Sequence, residues 1–241
     1  MISINQIFFI AASLLALSAP CAHADTYYVT SVVGNTLNRV DHEKAPGTLT
    51  NSDKHQQIDT GSAIFDDKAI KVISAELKKY DGASNVIPFR LTNPSIFTED
   101  VDFENSESLK LALQTMLKDF SYEPHAKLLV VLPWRSKVLI NREEMTMVKG
   151  LGVYLDLKQD VRKGRAQTFD ERVAVFANMR IVLIDLDQAT LLATRTFRRS
   201  RAHQLNEGDD LFKTPERLNV ILLNLIQNGC AEMVPQLFKV N

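Results

Sequence analysis

From Thr26 to Val33, aromatic and β-branched residues follow one another almost without a break, which suits a pleated strand. Gly34-Asn35 is turn chemistry and predicts a hairpin whose return strand is Thr36 to Val40. Periodicity then lapses: Asp41 to Thr60 is polar, contains Pro46-Gly47 and Asn51-Ser-Asp53, and reads as a long exposed loop. Over Ala63 to Tyr80 the period becomes helical. Ala69, Ile70, Ile73, Leu77 and Tyr80 share a face, and Lys68, Lys71, Glu76 and Lys78 lie elsewhere. Asp66 and Asp67 suit the positive start of that helix, and Asp81-Gly82 ends it. Val86 to Leu91 is a short strand that Pro88 assigns to a sheet edge. After a second loop, Thr92 to Asn105, a helix over Ser106 to Phe120 carries Leu109, Ala112, Leu113, Met116, Leu117 and Phe120 on one face.

Lys127 to Leu132 is nearly all apolar, the pattern of a strand covered on both faces, and Pro133-Trp134 stops it. Leu151, Val153, Leu155 and Leu157 alternate in a strand over Gly150 to Leu157, and a charged connection, Lys158 to Asp170, follows. Val173, Val175, Ala177, Met179, Ile181 and Leu183 then share one face of a long strand ending at Asp185, with Asn178 and Arg180 on the other face. A turn at Asp187-Gln188 leads into Thr190 to Arg198 and makes the strongest hairpin in the chain. Thr214-Pro215 supplies an N-cap and a first-turn proline. The apolar helix from Leu218 to Phe238 is expected to kink or split at Gly229 and Pro235. This order predicts a single α/β (α+β) domain with a mixed sheet: two early helices interleaved with strands, an antiparallel meander and a closing C-terminal helix. No repeat or convincing linker divides it, and the loops at 41–60 and 92–105 are the only candidate boundaries.

Charge changes the picture at the N-terminus. Met1 to Ala24 has no Asp, Glu, Lys or Arg, and its apolar run Ile7 to Leu17 is too short to span a bilayer as a helix. Ala22-His23-Ala24 is an A-x-A cleavage site, so residues 1–24 read as a signal peptide and 25–241 as the mature domain, located in the periplasm or secreted, with no membrane span left after cleavage. The residues before Cys21, Ser18-Ala19-Pro20, do not form a lipobox. Cleavage of the 241-residue chain leaves about 217 residues and a single cysteine, Cys230, so no internal disulfide can form. Cys230 sits in an apolar segment and reads as a small core residue.

Lys and Arg number 28 against 29 Asp and Glu, a formal charge of −1 that argues against a nucleic-acid partner. Glycines number only 9, and no G-x-S-x-G, H-E-x-x-H, C-x-x-C or Walker loop is present. His42, His55, His125 and His203 are widely spaced; neither a metal site nor a cofactor is expected. Asp66-Asp67 suits a helix start better than acid/base work, and Asp185 and Asp187 suit a turn. Trp134 follows the central strand where a sheet's carboxyl edge can form a crevice; it could stack on a ligand or pack that edge. The most distinctive polar feature is basic: Arg162-Lys163-Gly164-Arg165 in a loop, and Arg195, Arg198, Arg199 and Arg201 along the last strand. Brought together, these arginines would hold carboxylates or phosphates bidentately. Left apart, they are a solvated strand end balanced by Glu207, Asp209 and Asp210.

The starting strand ending Val32-Val33-Gly34, the helix opening Phe65-Asp66-Asp67, the strand Leu128 to Leu132, the hairpin Arg180 to Asp187 into Thr190 to Ala193, and the terminal helix follow one another in a recognisable order. In that order the chain resembles small α/β domains of Gram-negative envelope proteins: the N-terminal domain of TolB, the curli-secretion lipoprotein CsgG and the peptidoglycan-synthase activator lipoproteins. The opening segment is also similar to uncharacterised exported bacterial proteins that begin V-V-S-x-x-G-[DN]-x-[FL]. These resemblances imply an envelope protein and supply no catalytic residues. The expectation is an exported, non-enzymatic periplasmic protein that binds another envelope protein or an anionic envelope polymer, through its arginines or the edge at Val86 to Leu91. Two other readings stand beside it. One is a periplasmic hydrolase using Asp66, Asp67, His125 or His203. The other is a small-ligand module built on Trp134.

Overall fold

The computed structural model describes residues 25–34, 36–44, 51–60, 62–80, 85–91, 97, 101–116, 118, 120–140, 143–158, 170–204 and 215–239. In chain order the elements are β1 (Thr26–Ser31), β2 (Thr36–Lys44), β3 (Asn51–Asp59), α1 (Ile64–Tyr80), β4 (Asn85–Pro88), α2 (Ser106–Met116), β5 (Lys127–Pro133), β6 (Arg135–Ile140), β7 (Glu143–Lys158), β8 (Asp170–Asp185), β9 (Thr190–Gln204) and α3 (Pro215–Leu237). The signal-peptide and lipobox readings, the Thr214 cap, and most of the charged connection with Arg162 and Arg165 lie outside the described residues.

The strands form one mixed sheet of nine, and that sheet is forked. β8 pairs along one side with β9 from Arg172 to Asp185. On its other side it pairs first with β7, through Asp170 to Asn178, and then with β5, through Met179 to Asp185. From β5 one branch runs through β1 to β4 in parallel register. From β7 the other runs through β2, parallel, to β3, antiparallel. The first half of β7 leaves the sheet and pairs with β6.

Alternation along β8 decides where the core lies. Val173, Val175, Ala177, Met179, Ile181 and Leu183 join the main core under α1 and α3. On the back, Val182 and Ile184 meet Leu109 and Leu113 of α2 together with Phe97 and Phe103. Ala174 and Phe176 meet Val138 of β6, Val148 and Tyr154. β5 is covered on both faces as its composition predicts, with Leu129 and Val131 in front and Leu128, Val130 and Leu132 behind. A single mixed α/β domain with a closing helix therefore stands; both early helices are present, and α2 ends at Met116 rather than at the expected Phe120. α1 buries Phe65, Ala69, Ile70, Ile73 and Leu77. Asn105 caps α2, its Oδ1 accepting from the N–H of Glu107 at 3.0 Å and of Ser108 at 3.2 Å.

Three local expectations are corrected and one strand is added. The expected β1–β2 hairpin is absent: β2 crosses to the other branch and pairs with β7 and β3. Much of the expected loop 41–60 is strand, because Asn51 to Asp59 completes a ladder with Thr36 to Lys44. Pro133-Trp134 ends β5 as expected, but a strand that the sequence pattern does not predict, β6, begins at Arg135. α3 runs unbroken from Pro215 to Leu237. Gly229 does not break it because a Cβ there would lie 2.6 Å from Met179 Cε and 2.7 Å from Phe197 Cδ1; glycine lets the helix settle onto the sheet. Pro235 falls in the last turn, where few backbone bonds remain to lose.

Cys230 lies on the buried face of α3 and is fully enclosed. Burial pushes its thiol up to about 12, so the nucleophilic thiolate is absent at neutral pH. Alkylation followed by peptide mass mapping should leave Cys230 unmodified in the native protein and modify it fully in denaturant.

Candidate functional site

β9 carries the arginines because its two faces have different duties. Past a register shift opposite Leu183, alternation is regular, and Phe197 points into the main core. Arg195, Arg199 and Arg201 share the side of Phe197, whereas Arg198 shares the opposite side with Thr194, Thr196 and Ser200. The strand thus splits its arginines between two faces. Arg195 Nη1 donates to the Thr194 carbonyl at 2.8 Å. Arg199 pairs with Glu232 of α3 at 2.9 Å and lies over the Phe197 ring at 5.5 Å. Ser200 Oγ donates to the Leu139 carbonyl of β6. The outer side of β9 pairs with no other strand among the described residues.

At its far end β9 meets the start of α3. Arg201, His203, Glu216, Arg217, Val220 and Ile221 line an open groove of about 520 Å³. Burial, and then the charges of Arg201 and Arg217, lower the His203 pKa below its ordinary value. The ring's Nε2 is buried with no hydrogen-bond partner among the described residues.

Trp134 occupies the carboxyl edge of the parallel strands. Its N–H donates to the Asn178 carbonyl at 2.9 Å and its carbonyl accepts from Gly150 at 3.1 Å, so its backbone stitches the fork where β7 and β5 meet β8. The Arg180 guanidinium lies 5.0 Å from the Trp134 ring and 5.3 Å from the Phe103 ring. Arg180 Nε also donates to Thr194 Oγ1 at 2.9 Å. Burial lowers the Arg180 pKa, while Glu104 and Asp102 oppose that shift. The ring remains 37% exposed, but the stack with Arg180 makes it a packed member of the edge. Sequence reasoning placed Arg180 on the back face without giving it a role; an arginine inside an apolar alternating strand was the available signal.

The enzyme candidates are dispersed. Asp66 accepts from Ser31 Oγ at 2.7 Å and from Gly34 N–H at 3.5 Å. Asp67 instead takes both its contacts, at 2.5 and 2.7 Å, from Arg90 Nη2 beyond β4. His125 lies before β5 and meets Asp187, through its backbone N–H at 2.7 Å and Nδ1 at 3.3 Å. Among the described residues no hydrogen bond or ion pair joins any two of Asp66, Asp67, His125 and His203, and no group of three or more metal-ligating side chains converges. Nor is any described helix long and apolar enough to cross a membrane.

Burial raises the Asp66 pKa, although the bonds from Ser31 and from the backbone of Gly34 and Val33 oppose it. A raised folded-state pKa gives stability that is present below the unfolded value and lost as pH rises through the folded value. The stability difference between Asp66→Asn and the parent chain should therefore move in favour of the variant from pH 3 to 7, as read by urea midpoints. A flat difference would contradict the buried-charge account.

No family model matches the chain, and no curated protein is significantly similar to it. Among solved structures, the crystal structure of a Xanthomonas campestris protein assigned to the DUF330 family overlaps it at a TM-score of 0.36 and 8% identity, covering 88% of this chain and 81% of that one.

Proposed function

We propose that this is an exported, non-enzymatic protein of the bacterial envelope whose β9 edge takes up an extended acidic segment of another envelope protein. The observation that supports this reading is a 15-residue strand that, among the described residues, pairs on one side only and bears Arg195 and Arg201 on one face and Arg198 on the other. An open edge offers backbone donors and acceptors to an added strand. Its arginines discourage a second copy, which would set like charges opposite one another, and favour carboxylates at alternate positions of a partner. The edge at β4 is a poorer platform, being only four residues long and ending in Pro88. The dispersal of Asp66, Asp67, His125 and His203 supports the non-enzymatic part of the reading.

The test is fluorescence anisotropy with a labelled peptide alternating Glu and Val. The acidic peptide should bind, and Arg195→Glu/Arg198→Glu should weaken it by about tenfold or more. N-methylation of its backbone should also abolish binding. Equal affinity for a neutral Thr/Val peptide would overturn the proposal; capture by an anionic polysaccharide alone would redirect it to an envelope polymer. Export is tested separately, by finding Asp25 as the N-terminus of the protein recovered from the periplasm.

A further inference from the structure

The groove between the end of β9 and the start of α3 has no counterpart in the edge-pairing account. Two guanidinium groups from different elements, Arg201 and Arg217, reach it, and neither has an ion pair among the described residues. Among the described residues, Glu216 is the only carboxylate in its lining. The excess positive charge stands beside the N-terminus of a 23-residue helix, whose first N–H groups lack intrahelical acceptors. His203 adds a ring whose Nε2 is enclosed and unpartnered. The imidazole stays neutral there because it is partly desolvated and faces both arginines; Glu216 is the opposing charge in the lining. Beside these groups the wall is apolar: Val220 is 57% exposed, and Ile221 follows it.

Each part favours the same ligand chemistry. Two guanidiniums match a compact oxyanion of more than one charge, which arginine grips bidentately. A helix start adds potential of the same sign. An exposed valine beside the cationic end suits a ligand that carries an apolar group next to its charge. We propose that this groove binds a phosphomonoester, with the phosphate between Arg201 and Arg217 and the ester group against Val220 and Ile221. The site goes beyond the β9 edge and shares Arg201 and His203 with that strand.

The test uses the full mature chain and follows the His203 ring by NMR at pH 7.5 while phenyl phosphate, and separately inorganic phosphate, is added. Phenyl phosphate should shift His203 saturably and raise its pKa, since a bound dianion opposes the two arginines. Arg217→Gln should weaken binding by about tenfold or more. Val220→Ser should bring phenyl phosphate down towards inorganic phosphate. Both positions are exposed, so the variants keep the fold, and neither lies on β9, so failure here leaves the edge-pairing proposal standing. Sedimentation with phosphatidylcholine vesicles, with and without phosphatidic acid, identifies the source. Arg217-dependent capture by phosphatidic acid assigns a lipid headgroup; its absence alongside phenyl phosphate binding assigns a soluble ester. No saturable shift with any ligand, or an equal shift in Arg217→Gln, overturns the site. Equal affinity for inorganic and phenyl phosphate overturns the ester assignment.

Discussion

Replacing Gly152 by alanine is expected to lower stability by at least about 3 kcal/mol, enough to leave little folded protein. Gly152 lies where β7 runs between β2 and β8, paired with Asn38 on one side and Phe176 on the other. A Cβ at that position would stand 1.9 Å from the Asn38 carbonyl oxygen and 2.8 Å from Phe176 Cζ. The first of these is backbone, so no rotamer change relieves it. β2 must move away from β7, and β3, which among the described residues pairs only with β2, moves with it. The measurement is the urea midpoint of soluble Gly152→Ala protein against the parent. A change below about 1 kcal/mol would show that the two strands do not approach as closely as described.

Asn178→Leu should cost about 2–4 kcal/mol, and its effect should be local before it is global. Asn178 is 1% exposed. Its Nδ2 donates at 3.2 Å to the carbonyls of Ser136 and Val148, one on β6 and the other on the outlying half of β7. Leucine fills similar space but leaves both carbonyls buried without a donor. Hydrogen exchange should quicken first over Arg135–Ile140 and over 143–149, while β8 and β9 stay protected. Trp134, the only tryptophan, bonds to the Asn178 carbonyl, so its fluorescence should shift in step. Uniform acceleration throughout the sheet would instead mean that the amide supports the whole fold.

Much of this architecture was readable from hydrophobic spacing wherever burial was one-sided or complete. β8 announced its front face through six alternating residues, and β5 announced two buried faces through an unbroken apolar run. What escaped was held by pairing alone. β3, Asn-Ser-Asp-Lys-His-Gln-Gln-Ile-Asp, has no apolar face because it lies at a sheet edge and its order comes from the ladder with β2. The predicted first hairpin failed because Gly34-Asn35 marks a turn without saying which strand receives the chain; the receiver, β7, lies roughly 110 positions away. β6 escaped because the proline that ends β5 stands just before it, and only the Trp134 backbone bonds carry the chain across. The arginines of β9 stand close together in sequence. Their division between two faces follows from period two and could have been derived then. Their link to Arg217 could not, since only the fold brings α3 to the end of β9.

The fork also has a temporal consequence. β8 is the eighth strand to be synthesised, yet both branches close on it, and β1 waits for β5 roughly a hundred positions downstream. A nascent chain ending before residue 170 would hold two separate half-sheets, each with an apolar flank exposed where β8 belongs. Folding should therefore begin late and finish cooperatively, once a single strand docks on both halves. Until then the emerging chain leaves those two apolar flanks open to other chains.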